Sequence, residues 1–551
     1  MLSLILLGVA ALTYLFRRCI LALITPGGIP GLPSYPDPIP IFGDLPRVVK
    51  SVKANHSFRI FFDGVGKDLG PIAQVKLGPG TTFVILSDYQ EIESVFARHA
   101  DFDRAAQTTE IFDLLIPTAQ ISQRTNTMWK HHRRLIGSAM STKYLGMTVP
   151  RANEAVDELV DLFEAKIDKS EGKPWQVEGD MIAATMDVIC GMAFGDSWGI
   201  VRDFAREVRS STPKNGTLDE AIFATEMPPL AVSTIALLDS VPVQATFPRL
   251  TKLQTRLSPT YNRHRRLVFG YIDTKLAEAR NRAASLGEAA VELADNTLDM
   301  MVAREMRGDT MTDAELKDEI FLYLVAGTET SAVTMSWWFK FMTNHPDVQH
   351  KLRHHLQERL PQPVTAESLS PLNAPYLEAV VQETLRLSRT AGGTTRQAKR
   401  DTVVLGHVLP KGTTVVIPSA FQTEEEGKPA WSGPPDQTTN LDGLRSGEAR
   451  KVGYWAKGTG LKFDPDRWMR DGQFDANAGP SAPFGLGQRG CFGKNLALLE
   501  LRLLIARLTL AFYFAPVEDR HNSMEIWETI TGHPRQSFIR PERWPSAEST
   551  V

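Results

Sequence analysis

The chain has 551 residues, of which 42% are hydrophobic and 23% charged, enough apolar material for a large buried core and too much for a disordered chain. A formal net charge of -3 offers no basic excess to a nucleic-acid backbone, so no nucleic-acid partner is expected. Three cysteines, Cys19, Cys190 and Cys491, lie too far apart in unlike surroundings to read as a disulfide framework.

The first stretch, "MLSLILLGVAALTYLFRRCILALITPGG", is apolar on both sides of Arg17 and Arg18. Its length matches the roughly 20 apolar residues of a membrane-crossing helix, and it lacks the leading positive charge of a cleaved signal. Residues 1–25 are therefore expected to be a retained membrane anchor, with the arginine pair near an interface and the body on the cytoplasmic side. Residues 26–46 carry prolines at 26, 30, 33, 36, 38, 40 and 46, which reads as a stiff tether.

Residues 47–551 show no repeat and are expected to form one large, mainly helical domain with a small β region. "PIAQVKLGPGTTFVILSD" and "DTVVLGHVLPKGTTVVIP" are β-branched runs broken by Gly and Pro, the pattern of hairpins. "TKYLGMTVPRANEAVDELVDLFEAKIDK" and "MIAATMDVICGMAF" repeat apolar residues at three and four, and Cys190 in the second reads as a small buried hydrophobe. The run "WKHHRR" between the first β segment and these helices has the charge of an exposed helix face.

A long helix is predicted from Thr312, whose pairing with Glu315 makes a capping box, and its apolar residues continue to Phe341 on every side. Gly327, Thr328, Glu329 and Thr330 interrupt it, a glycine and three polar groups where packing alone would ask for none. In "QETLR", Glu383 and Arg386 lie three apart on one helix face among apolar neighbours, which points to a partly buried pair. Residues 419–462 are long and polar and read as a surface insertion.

Near the end stands "PFGLGQRGCFGKN". Gly485, Gly487, Gly490 and Gly493 let the backbone bend tightly and leave amide N–H groups free to face the Cys491 sulfur. Arg489 and the start of the following helix add positive potential, so the residues point to an ionised thiolate acting as a metal ligand. His131 and His132 are an alternative source of axial ligands, with nothing around them that reads as a metal site.

The spacing F-x-x-G-x-R-x-C-x-G, matched by Phe484, Gly487, Arg489, Cys491 and Gly493, resembles the haem-binding loop of the cytochrome P-450 family. Ala326-Gly327-Thr328-Glu329-Thr330 is similar to that family's oxygen-activating helix motif, Glu383 and Arg386 to its E-x-x-R pair, and Arg467 in "FDPDRW" to the usual third partner. Trp129 and Arg133 resemble the helix that holds a haem propionate, with Arg396 and Arg489 completing the clamp.

The resemblance implies the cytochrome P-450 fold and haem b (iron protoporphyrin IX) on Cys491, seated by Trp129, Arg133, Arg396, Phe484, Arg489 and Gly493. It also implies Glu329 and Thr330 as proton relay, with Gly327 letting the helix open, and Glu383, Arg386 and Arg467 as structural residues. The activity implied is that of a monooxygenase placing one atom of O2 in a small hydrophobic substrate, in specialised metabolism. Its electrons would come from a separate NADPH-cytochrome P-450 reductase at the endoplasmic reticulum membrane. A haem-thiolate isomerase or dehydratase and a haem sensor are the competing readings. By the same analogy substrate contacts are expected from Ile111, Phe112, Leu114 and Leu115, from the "EMPPLAVSTIALL" region and from Thr390 to Thr395, with the turn Glu528 to His533 closing the pocket. Arg389 departs from the pattern, standing where many relatives have proline.

Overall fold

The structure, a computed structural model, describes residues 28–78, 81–241, 248–308, 310–361, 363–419, 452, 455–456 and 458–545. The expected anchor at 1–25 and most of the expected insertion at 419–462 lie outside the described residues. No helix among the described residues is long and apolar enough to cross a membrane. The chain is mainly helical with a small β region and divides into two compact units.

The first unit, residues 1–105, 392–460 and 479–488, is built on a five-stranded sheet. Its strands run Ile72–Lys76, Thr82–Leu86, Thr414–Pro418, Gly393–Ala398 and Phe102–Asp103 in spatial order, antiparallel except where Thr414–Pro418 meets Thr82–Leu86. Successive strand residues face opposite sides. Ile72, Val84, Leu86, Val415 and Ile417 therefore enter one apolar cluster, while Ala73, Val75 and Ile85 enter another with Val48, Phe61 and Val65. Both faces are buried, which is why "FVIL" is apolar without alternation.

The second predicted hairpin is half right. Thr402–Val404 and His407–Leu409 pair as expected, but Thr414–Pro418 leaves them for the centre of the sheet. Residues 28–44 are fastened onto this unit: the Gln74 side chain takes the Ile29 N–H and donates to the Ile29 and Leu32 carbonyls, and Asp44 accepts from the Lys76 N–H.

The second unit, residues 106–391, 461–478 and 489–551, is helical. Helix Asp313–Asn344 begins with the predicted capping box of Thr312 and Glu315 and is buried along most of its length. It lies along helix Glu178–Phe194, itself buried on nearly every side, so the two form the unit's centre. Cys190 is fully buried there, as its apolar run predicts.

The predicted ion pair is larger than two residues. Glu383, on helix Pro375–Ser388, has no exposed surface and its carboxylate collects five donors. Arg386 grips it bidentately at 2.8 and 2.8 Å, Arg467 donates at 3.0 Å, the Trp468 indole at 2.9 Å and the Asp464 N–H at 2.9 Å. Both guanidiniums also donate to the Lys462 carbonyl at 3.1 Å. Arg389 ends the helix in the left-handed region at φ 48°, so the turn that departs from the family pattern is a C-cap.

Candidate functional site

Cys491 lies at the entry to helix Lys494–Ala511, capped by Gly493. Cys491 is an exposed residue, yet protein surrounds much of its thiol, and this desolvation pushes the thiol above its ordinary value. The Gly493 N–H, the Arg133 guanidinium and the Lys494 ammonium oppose that effect without overcoming it. One expectation is corrected here: the guanidinium acting on the thiol is Arg133 of helix Thr127–Ile136, not Arg489 two residues away.

Trp129 and Arg133 share a face of that helix, whose start is capped by the Asn126 side chain accepting from the Trp129 N–H at 2.7 Å. The Arg133 guanidinium lies 5.4 Å from the Trp129 ring centre and 4.4 Å from that of Phe492. Arg489 lies 4.5 Å from the Trp129 ring centre and donates to the Gln123 carbonyl at 2.8 Å. Trp129, Arg133, Arg489, Phe492, Cys491 and Gly493 are thus one cluster within the second unit. His132 takes no part: it is fully buried, with Nδ1 2.7 Å from the Glu319 carboxylate.

Phe484 and Arg396 belong to the first unit. Phe484 is half-buried and Arg396 is buried, its guanidinium over the Phe96 ring at 4.4 Å and bonded to the Thr395 carbonyl at 2.9 Å. Sequence reasoning missed Arg104, which burial and then the neighbouring Arg396 charge pull down to about 10. Two cations held out of water against their own repulsion mark a place suited to anions. Gly487 earns its place by close approach: at φ 69° a Cβ there would sit 2.8 Å from the Phe96 carbonyl oxygen.

Helix Asp313–Asn344 turns two small exposed residues, Ala326 and Thr330, to one side, one turn apart. The Thr330 hydroxyl donates to the Ala326 carbonyl at 2.6 Å, which leaves its oxygen lone pairs available as acceptors. Glu329 points elsewhere. Its Oε1 accepts from Thr531 at 2.5 Å and from Thr529 at 3.4 Å, and faces His533 Nε2 at 3.3 Å. The turn Glu528 to His533 therefore meets this helix through its threonines and histidine.

Gly327 does not open the helix, which is continuous from Asp313 to Asn344. Instead it admits Ile189 of the neighbouring helix, whose Cδ1 would lie 2.5 Å from a Cβ at 327. Gly327→Ala should cost roughly 1–2 kcal/mol, the overpacking strain less the helix propensity gained. In an Ile189→Ala background the same change should become neutral or stabilising, as a chemical denaturation series would record.

The donor set fits haem. A single sulfur faces an amide N–H and two cations, and guanidinium and indole N–H groups beside it suit the paired carboxylates of the porphyrin.

The sequence matches the protein-family profile "Cytochrome P450" over residues 33–422 and 458–539. It is 26% identical to cytochrome P450 monooxygenase GME11363 of Pestalotiopsis microspora, over 91% of this chain and 91% of that protein. It is also 26% identical to cytochrome P450 monooxygenase TRI13 of Fusarium sporotrichioides, over 93% and 95%. Among solved structures, retinoic acid-bound cyanobacterial CYP120A1 aligns with a TM-score of 0.66 at 20% identity, covering 94% of this chain and all of that one, which is a likeness of fold.

Proposed function

The chain belongs to the cytochrome P450 family, and on that premise we propose that it is a haem b monooxygenase that places one oxygen atom of O2 in a small hydrophobic substrate. The observation that carries this reading is the single sulfur of Cys491, set among the Gly493 N–H, Arg133 and Lys494 beside a cluster of carboxylate-binding donors. Haem bound through that sulfur supplies a redox-active iron that activates oxygen.

Trp129, Arg133 and Arg489 are assigned to the haem carboxylates. Gly493 presents its N–H to the sulfur and tempers its basicity. Phe484 supplies an apolar surface at the loop, and Glu329 and Thr330 are assigned to proton delivery. The Thr330 hydroxyl, committed as donor to Ala326, holds a water or a reacting oxygen through its own lone pairs.

Electrons are assigned to NADPH by way of a flavoprotein reductase, docking on the exposed basic face around Lys130 and Arg134. Attachment to the endoplasmic reticulum membrane is assigned to residues 1–25. Ile39, Ile41 and Phe42, each about half exposed within the proline-rich stretch, are apolar side chains suited to a lipid surface. A place in specialised metabolism is part of the same proposal.

The test is turnover with purified reductase under labelled oxygen. Product carrying one labelled atom and formed only with NADPH supports the reading; product formed without NADPH identifies an isomerase or dehydratase, and haem binding with no turnover a sensor. For Thr330→Ala, haem binding should be unchanged while a larger share of NADPH electrons appears as hydrogen peroxide, measured as the ratio of peroxide to product.

A further inference from the structure

The carboxylate of Glu329 is one end of a chain of polar groups that runs away from Thr330. The hairpin Ile526–Glu528 and Gly532–Pro534 delivers Thr531 and His533 to it. Three contacts pin the hairpin tip: the Trp337 indole donates to the Gly532 carbonyl at 2.8 Å, the Gly532 N–H donates to the Thr390 carbonyl at 3.0 Å, and Ala391 bridges Thr531. Beyond the histidine, Nδ1 lies 2.5 Å from Oε1 of Glu178, in the first turn of helix Glu178–Phe194.

The hydrogen bonds assign the protons. Thr531 gives its hydroxyl proton to Glu329 at 2.5 Å, so its oxygen is an acceptor toward His533 Nε2 at 2.9 Å. Glu329 Oε1, also within reach of Nε2, accepts as well. Carboxylate Glu178 accepts at Nδ1. Both ring nitrogens therefore carry hydrogen, and the ring is an imidazolium held between two carboxylates. The side chains of His533 and Glu329, 14% and 17% exposed, are both better covered than that of Glu178 at 33%. Among the described residues no group of His, Cys, Asp and Glu is arranged to hold a metal ion, so the cluster reads as a proton-holding one.

We propose that Glu178, His533 and Thr531 form the supply line that recharges Glu329 with protons, with His533 as a positioning residue that passes them inward. The inference rests on the monooxygenase reading for its purpose but not for its geometry. When a proton is drawn inward, the Nε2–H bond breaks and the Thr531 hydroxyl relays the proton to the Glu329 carboxylate, and the carboxyl so formed gives it up. The ring left behind is neutral with its hydrogen still on Nδ1, and Nε2 takes its next proton from solvent, an uptake that the Glu178 carboxylate favours by holding the ring charged. Each transfer breaks one bond to hydrogen and forms another, and no redox partner is needed.

The charges facing His533 are Glu178, Glu329 and, from helix Pro229–Asp239, Asp239. Burial pulls the imidazole down, but the two glutamates outweigh it and hold it up to about 9. For Glu329, burial pushes up, and His533 with the threonines holds it below the usual carboxylate range. For Asp239, burial and then Glu329 push up while His533 opposes. His533 thus stabilises the fold fully below its unfolded imidazole value, and the contribution fades as pH rises through about 9. The Glu329 contribution is lost at the acid end, as pH falls through its depressed value.

The full chain labelled with nitrogen-15 histidine tests the charge, His533→Gln identifying the resonance. That signal should be an imidazolium at neutral pH with a midpoint near 9, and Glu178→Gln should lower the midpoint by at least about one unit, tenfold in proton affinity. A neutral ring at neutral pH overturns the proposal. The second readout is reoxidation of the dithionite-reduced protein by oxygen in light and heavy water, which needs neither substrate nor reductase. His533→Gln should change that rate and its solvent isotope ratio severalfold, with Glu178→Gln moving both in the same direction. A charged His533 whose loss moves neither makes the cluster a structural clamp and overturns the proposal. Absence of a thiolate-ligated haem in the wild type would instead remove the monooxygenase reading while leaving the histidine result standing.

Discussion

Replacing Cys491 by alanine is expected to abolish the thiolate-type Soret band in the carbon monoxide difference spectrum of the reduced protein, while leaving the fold intact. Cys491 is an exposed residue outside the buried core, so its loss opens no buried cavity. Its neighbours are arranged around an anion: the Gly493 N–H and the charges of Arg133 and Lys494 all favour thiolate, and burial alone holds the proton on. An iron held by that sulfur would take it as thiolate, so loading the site would release the thiol proton. Alanine offers no ligand atom. Cys190→Ala is the control: buried in helix Glu178–Phe194, its thiol is pushed well up by desolvation, and its loss should leave the band in place. A Soret band of thiolate type surviving in Cys491→Ala would remove the assignment.

The second large effect is expected at Glu383. Its carboxylate answers five donors with no solvent to share the task, and removing it strands the guanidiniums of Arg386 and Arg467, whose side chains are only 10% and 7% exposed. Breaking one side of such a buried network costs about 3–5 kcal/mol, because the remaining charges keep their desolvation and lose their partner. Glu383→Ala should lose the most, Glu383→Gln less because the amide oxygen still accepts. Trp468→Phe, which deletes one donor, should cost only about 1 kcal/mol before any packing change. Urea denaturation of the three variants gives the order; an unchanged midpoint for Glu383→Ala would contradict the burial argument.

Much of the helical frame is readable in the sequence because its signals are local. Thr312 and Glu315 cap the long helix with residues three apart, and Glu383 and Arg386 meet one another within a turn. What the reading misses is made by distant segments. Trp468 and the Asp464 N–H reach Glu383 only after the chain returns, and His533 reaches Glu329 from a hairpin near the chain's other end.

Two misjudgements have the same root. Arg489 is near Cys491 in sequence, yet its side chain turns to Gln123 and Trp129 while Arg133 acts on the sulfur. Gly327 beside polar residues looks like a place for a helix to loosen, whereas the space it leaves belongs to Ile189. Strand Thr414–Pro418 was assigned to its sequence neighbours because turn residues mark where a strand ends, not which partner it takes.

The grip of Arg386 and Arg467 on the Lys462 carbonyl has an evolutionary side. It nails down the residue at which the polypeptide comes back into the second unit, close before the Arg467 and Trp468 that complete the cluster. Upstream of such a nail, residues can be gained or lost between lineages at little thermodynamic penalty, since doubling a loop's length costs only about 0.6 kcal/mol of closure entropy. Descendants can therefore lengthen this part of the chain while the downstream segment that carries Cys491 keeps its register.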